Sequence, residues 1–176
     1  MLRTIVNFIG FQTGWFAAVL GAAQGMPWLG VIVVPIVLVI HAALSPKRKA
    51  EAILIVAAGA LGFCTDTVLV LAGVFTPVAH LFPIPFSPPW MVLLWMCFAT
   101  SLNVSLRKLH GRYLLSAVLG LIGGPAAYYS GAKLGATTTI PGLTELLVLA
   151  VVWAAAVPAL FWLASRINRM YVPEVR

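Results

Sequence analysis

The chain has few charged residues and very few acidic ones. Of its 176 residues, 9% are charged and four are Asp or Glu, whereas 62% are hydrophobic. A water-soluble domain carries about 25% charged residues, so this chain cannot cover a water-facing surface. The mean hydropathy of +1.05 agrees with this. The composition excludes an ordinary soluble domain and predicts an integral membrane protein.

The sequence also lacks the motifs of several chemistries. Its two cysteines, Cys64 and Cys97, lie in apolar runs and form no CxxC pair, so we expect both side chains to serve in packing. The histidines show no metal-ligand spacing, and there is no Walker loop or GxSxG. A basic patch with exposed aromatics on a polar scaffold is absent as well, so nucleic acid is not an expected partner. We predict no metal site and no cofactor, and we cannot assign any catalytic residue.

Six apolar runs dominate the chain, and each is close to the ~20 residues that a membrane-spanning helix needs. They predict an all-α, polytopic six-helix bundle that forms a single integral membrane domain over residues 1–176. The first run also resembles a signal peptide, but its length and its polar residues Asn7 and Gln12 favour a retained helix. The predicted helices lie at roughly 4–25, 28–44, 51–75, 90–106, 113–133 and 143–165.

Lysine and arginine are distributed very unevenly between the connections. With six helices, ten of these residues fall on one side and only Lys133 on the other. Cytoplasmic connections carry the excess of Lys and Arg. The pattern therefore predicts that both termini are cytoplasmic. The ten residues are Arg3, Lys47, Arg48, Lys49, Arg107, Lys108, Arg112, Arg166, Arg169 and Arg176.

Asp66 is the one acid deep inside an apolar run. A charge at bilayer depth costs about 2.5–3.5 kcal/mol on insertion scales, so such a residue is a functional candidate by default. On a helical wheel, Gly59, Gly62 and Gly73 lie within about 40° of Asp66. Because glycine permits close approach of helices in membranes, this face should meet other helices. A leucine at Gly62 should then harm stability more than Leu69→Ala, because Leu69 is expected to face lipid.

Other polar and aromatic residues are predicted at a similar depth. At 1.5 Å per residue, Asp66 and Tyr128 lie ~22 Å from the cytoplasmic ends of their helices, with Lys133 at least one turn higher. We expect an outward-facing pocket with the acid at its base. The alternative is structural, with a hydrogen-bonded Asp66 that joins helices through Thr65, Thr67 or Tyr128. The candidate binding residues are Asp66, Tyr128, Lys133, Trp15, Gln12 and Trp95.

Three segments resemble those of a known family. They are FQTGW at 11–15, PWMVLLW at 89–95 and GPAAYYSGAKLG at 124–135. Together they resemble an uncharacterised bacterial family of small, multi-pass inner-membrane proteins that carry a domain-of-unknown-function label. The resemblance implies a bacterial inner-membrane location. Genes of such proteins often neighbour those of lipid-modifying enzymes, which implies a link to lipids, but the family supplies no activity and no site residues.

Three functions stay open from the sequence. The first is binding or transport of a small or lipidic molecule at Asp66, since transporters place polar groups and broken helices, here Gly124 and Pro125, near the midplane. The second is a membrane-embedded enzyme or accessory factor in lipid modification, with Asp66 and Tyr128, or Lys133 and Glu145, as acid and base. The third is a non-catalytic subunit that stabilises a membrane complex. The expected partners are the lipid bilayer, a lipid or small-molecule ligand, or another membrane protein.

Overall fold

The computed structural model describes residues 2–80 and 83–171 and consists of helices. Four of the six α-helices are long and apolar enough to cross a membrane, namely α1, α3, α5 and α6. The prediction of an all-helical membrane protein is therefore confirmed. A short 3-10 helix, Arg107–Leu109, precedes α5. The α-helices are α1 (Leu2–Ala23), α2 (Trp28–Leu44), α3 (Arg48–Leu71), α4 (Pro89–Leu102), α5 (Tyr113–Lys133) and α6 (Leu143–Tyr171).

The predicted bounds of α2 and α5 match the structure, and those of the other helices differ at their ends. Helix α4 stops at Leu102 rather than 106, because the chain turns there before the 3-10 helix. Helix α6 continues beyond 165 to Tyr171. Arginine side chains in its last turns stabilise this end, because they interact favourably with the negative end of the helix dipole. Helices α2 and α4, with 17 and 14 residues, are shorter than the other four.

The connections form two ends of the bundle. The basic end holds the start of α1, the α2–α3 and α4–α5 connections and the end of α6. The loop end holds the α1–α2, α3–α4 and α5–α6 connections. At the loop end α1, α3 and α5 stop in the same way, with a glycine of positive φ and a backbone bond that reaches back five residues, such as Val74 N–H to Leu69 O. Only glycine adopts this left-handed conformation without cost, so these glycines fix the helix ends.

Two of the connections at the loop end are tied to each other. The Val78 amide donates to the Ala136 carbonyl at 3.0 Å, and the Thr138 amide donates to the Thr76 carbonyl at 2.9 Å. Pro77 and Thr137 form an isolated antiparallel bridge between these bonds. The α3–α4 and α5–α6 connections are therefore hydrogen-bonded to each other.

The helices pack as neighbouring pairs around two apolar cores. Helix α4 lies centrally and contacts α1, α2, α3 and α6, whereas α5 packs mainly along α6. One core lies towards the basic end and includes Leu54, Leu102 and Phe161. The other lies towards the loop end and includes Phe75 and Trp90. Trp153 packs against both cores, so the junction between them lies at its ring.

Glycines make room for the two tryptophans at this junction. A Cβ atom at Gly62 would overlap the Trp95 ring, and one at Gly124 would overlap the Trp153 ring. The glycine face of α3 is therefore an interface with α4, as predicted. The expectation that Leu69 faces lipid was wrong, because Leu69 is buried in the core at the loop end. Val68, at 62% exposed, is the neighbouring residue on the outer surface.

Candidate functional site

Asp66 lies fully buried, 0% exposed, at the junction of the two cores. Helix α3 directs it between α4 and α5 because it shares the glycine face of α3. The Trp95 indole donates a hydrogen bond from Nε1 to Asp66 Oδ2 at 3.0 Å, and the Tyr128 hydroxyl donates to Asp66 Oδ1 at 2.5 Å. Both carboxyl oxygens thus have a donor, each from a different helix. Asp66 therefore joins α3 to α4 and α5. Its bond with Tyr128 is one of those that the structural alternative predicted.

Aromatic rings enclose the carboxyl group. Trp95 stacks on Trp153 with ring centroids 4.4 Å apart and an interplanar angle of 19°. Tyr128 meets Phe75 edge to face at 5.0 Å and Trp153 at 6.2 Å. We call Asp66, Trp95, Tyr128, Trp153 and Phe75 the acid–aromatic cluster. Trp95 and Tyr128 present their polar edges to the carboxyl, and the rings of the cluster exclude other polar side chains from it.

One donor in the acid–aromatic cluster has no partner. The Trp153 indole Nε1 is buried and makes no hydrogen bond within the described residues, although the Tyr128 hydroxyl is close to it. An unsatisfied buried donor costs roughly 1–3 kcal/mol. The cluster therefore has hydrogen-bonding capacity that its own side chains do not use.

The structure brings together only part of the predicted site. Asp66, Tyr128 and Trp95 are in contact, and Trp15 packs on the same core at the loop end, with its ring edge to face with Phe16 at 5.1 Å. Lys133 is exposed and lies over the Tyr129 ring at 5.4 Å. It is not a partner of Asp66 in this structure. Gln12 is half-buried on α1 and is not a partner of the acid either.

A second buried acid forms a cluster near the basic end that the sequence analysis missed. Glu51, 2% exposed, lies with Oε2 3.2 Å from Nε2 of His41 at the end of α2, a close contact that is not an aligned hydrogen bond. The Asn103 amide donates to Glu51 Oε1 at 3.3 Å, and the Asn168 amide donates to Asn103 Oδ1 at 2.9 Å. The cluster connects α2, α3, the end of α4 and α6.

A signal for Glu51 was present in the sequence. Glu51 and Asp66 lie within about 60° of each other on the helical wheel, so both belong to the buried face of α3. The position of Glu51 in the first turn of α3 offered a different explanation, because an acid there is also expected to offset the helix dipole. His41 and Asn168 had no comparable signal, since the helix that each would face depends on the packing of the bundle.

Polar residues of α4 and of the turn that follows it bind the neighbouring helix α1, as expected for hydrogen bonding in a membrane bundle. The Asn7 amide on α1 donates to Thr100 Oγ1 at 3.0 Å, and the Ser105 hydroxyl donates to Asn7 Oδ1 at 2.5 Å. Groups of three or more His, Cys, Asp or Glu side chains that could hold a metal ion do not occur among residues 2–80 and 83–171.

The fold and the acid–aromatic cluster define a small helical membrane protein with a buried acid between three helices. The family described as "Protein of unknown function (DUF2878)" matches residues 4–159. The chain belongs to this family, and the resemblance to an uncharacterised family is thereby confirmed. Comparison with curated proteins and with solved structures finds no match.

Proposed function

We propose that the chain is a six-span protein of a bacterial inner membrane with both termini in the cytoplasm. Among the residues described here, Lys133 is the one Lys or Arg at the loop end, and the others lie at the basic end. This asymmetry supports a cytoplasmic basic end. Helix α4 is short, but most of its surface is buried within the bundle, so its own length need not match the lipid.

We further propose that the protein binds, and carries across or presents at the membrane, a small or lipidic molecule with a cationic head. The binding group is the Asp66 carboxyl, and the aromatic rings around it form the walls. The observation that carries this proposal is a fully buried carboxyl inside an aromatic cluster that also holds the unpaired Trp153 N–H. A cation is attracted by the carboxyl, and a polar atom beside it can accept a hydrogen bond from Trp153 Nε1.

In this proposal the described arrangement is the closed state of the site, in which the Tyr128 hydroxyl occupies the place of the ligand. Opening requires movement of Tyr128, which lies three residues after Pro125 on α5. Pro125 has no N–H to donate to the carbonyl one turn earlier, so α5 is weakened there. Because α5 packs mainly along α6, its second half can separate from α3 without disrupting the central helix α4.

A direct binding measurement tests this proposal. The purified protein is titrated with choline and with ethanolamine, and with the uncharged carbon analogue of choline as the matched control. We expect the cations to raise the melting temperature and the neutral analogue to leave it unchanged. Native mass spectrometry from a gentle detergent checks what co-purifies. Equal effects of charged and uncharged probes would contradict a cation site. A stoichiometric protein partner with no small molecule would instead favour the complex-stabilising function.

A further inference from the structure

A cavity separate from Asp66 lies between α1 and α2 near the basic end. Its volume is about 350 Å³. Its lining on α1 runs from Arg3 to Thr13, a distance of about 15 Å. This is half of the ~30 Å hydrocarbon thickness of a bilayer. We call this cavity the α1–α2 groove, and its length corresponds to one leaflet.

The walls of the α1–α2 groove are apolar, and its rim is open. Ile9 on α1 and Ile36 on α2 line it and are each more than half exposed. Gly10 leaves space along the groove, since a Cβ atom there would lie 3.1 Å from Val37 Cγ1. A hydrocarbon chain can therefore lie against continuous apolar surface between the two helices.

The mouth of the groove at the basic end is polar and cationic. Arg3 is exposed there, and within the described chain no carboxylate forms an ion pair with it. His41 also lines the groove and is 8% exposed, but its Nε2 lies 3.2 Å from the Glu51 carboxylate, so Arg3 is the group available to an anion. Lys47, Arg48 and Lys49 follow at the same end. The mouth therefore complements an anion at the level where a lipid headgroup would lie.

We propose that the α1–α2 groove binds one acyl chain of an anionic phospholipid from the leaflet at the basic end. The phosphate of the headgroup pairs with Arg3, and the chain extends past Gly10 towards Thr13. This site is independent of the acid–aromatic cluster, which lies among α3, α4, α5 and α6. Failure of one proposal therefore leaves the other unaffected.

The test uses the full chain in detergent with an equimolar mixture of phosphatidylglycerol and phosphatidylcholine that carry the same acyl chains. Native mass spectrometry counts the bound lipids. We expect the protein to retain phosphatidylglycerol preferentially. Arg3→Gln should lower its retention about fivefold, as expected for one basic residue at a headgroup, with little change for phosphatidylcholine. Gly10→Leu should lower the retention of both lipids because leucine fills the groove.

Two variants serve as matched controls. Arg166→Gln removes an exposed arginine of the same end that does not line the groove. Gly123→Leu adds a side chain at a glycine whose Cβ would meet nothing within 4 Å. Equal retention of the two lipids by the unaltered protein overturns the proposal. An Arg166→Gln effect as large as that of Arg3→Gln does so too, since it would reflect overall surface charge. Because Arg3 is exposed, the Arg3→Gln protein should fold. It therefore decides the outcome even if the Gly10→Leu protein does not fold.

Discussion

At the scale of single residues, the Asp66 carboxyl is held by two donors, one on each oxygen. Trp95 is fixed against Gly62, so its N–H direction is set by backbone packing. Tyr128 lies on the more peripheral helix α5. Of the two donors, Tyr128 is therefore the one that a ligand can replace.

Asp66→Asn should separate structure from function. Asparagine can accept from Trp95 through its oxygen and donate to the Tyr128 oxygen through its amide, so the helices stay joined. We expect the melting temperature in detergent to stay within a few degrees while choline binding falls more than tenfold, or above about 1.4 kcal/mol. Asp66→Leu is the comparison, because it leaves both donors unpaired and should also lower stability. Unchanged binding by a well-folded Asp66→Asn protein would assign Asp66 to structure alone.

Gly62→Leu should be among the most damaging changes in α3. Any side chain there overlaps the Trp95 ring, and overpacking of this kind costs roughly 1–3 kcal/mol. Val68→Ala is the control on the same helix, since Val68 faces outward. Thermal unfolding followed by circular dichroism gives the comparison. A smaller loss of melting temperature for Gly62→Leu than for Val68→Ala would contradict this packing.

At the scale of elements, α5 is the helix whose sequence and contacts set it apart. It holds Pro125 in its interior, packs mainly on one partner, and carries the Tyr128 hydroxyl that closes the site. Its glycines Gly120 and Gly124 sit against Trp153 of α6. The first half of α5 is therefore anchored to α6, and we expect the opening movement to involve the residues after the proline.

Pro125→Ala should stabilise the closed state. It restores one backbone hydrogen bond in α5, worth about 1 kcal/mol, and removes the weak point beside Tyr128. We expect a higher melting temperature together with slower or weaker choline binding. Pro35→Ala in α2 provides the control, because Pro35 is also inside a helix but far from the cluster. Faster binding in Pro125→Ala would show that the proline is not where the site opens.

The connection between α4 and α5 should make stability depend on pH. Burial lowers the pKa of His110 below its ordinary value of 6.5, with the Leu102 backbone and Glu51 acting in the opposite direction. The unfolded chain then binds more protons than the folded one just below pH 6.5, so folding stability falls as the pH falls through this window. His110→Gln should flatten the slope of melting temperature between pH 7 and pH 5. A slope equal to that of the unaltered protein would exclude His110 as its source.

The sequence predicted elements better than contacts. Long apolar runs defined the helices, and the glycine face of α3 showed where Asp66 must point, because periodicity depends only on the chain itself. The Trp95 bond to Asp66 was not predictable, since it depends on the axial register of α4 against α3. The same holds for the pair of Glu51 with His41, and for the position of Lys133 over Tyr129 rather than above the acid.

At the scale of the whole molecule, the uneven basic residues and the two ends of the bundle make the orientation testable. Single cysteines are placed at Thr139, exposed at the loop end, and at Lys108, exposed at the basic end, with Cys64 and Cys97 replaced by serine and alanine. In intact cells an impermeant thiol reagent should label the cysteine at 139 and not that at 108. Ser87 at the loop end and Ser45 at the basic end are less suitable positions for a labelled cysteine, because both are buried. The reverse labelling pattern would invert the proposed topology.

The backbone bonds between the α3–α4 and α5–α6 connections also restrict the route by which a ligand can reach Asp66. They join the two connections at the loop end, so the end of α5 is held beside the end of α3. Opening of the site should then occur sideways, between α3 and α5, rather than at the loop end. We therefore expect cargo to arrive from within the bilayer, so that a cationic amphiphile binds more tightly than its soluble headgroup analogues choline and ethanolamine.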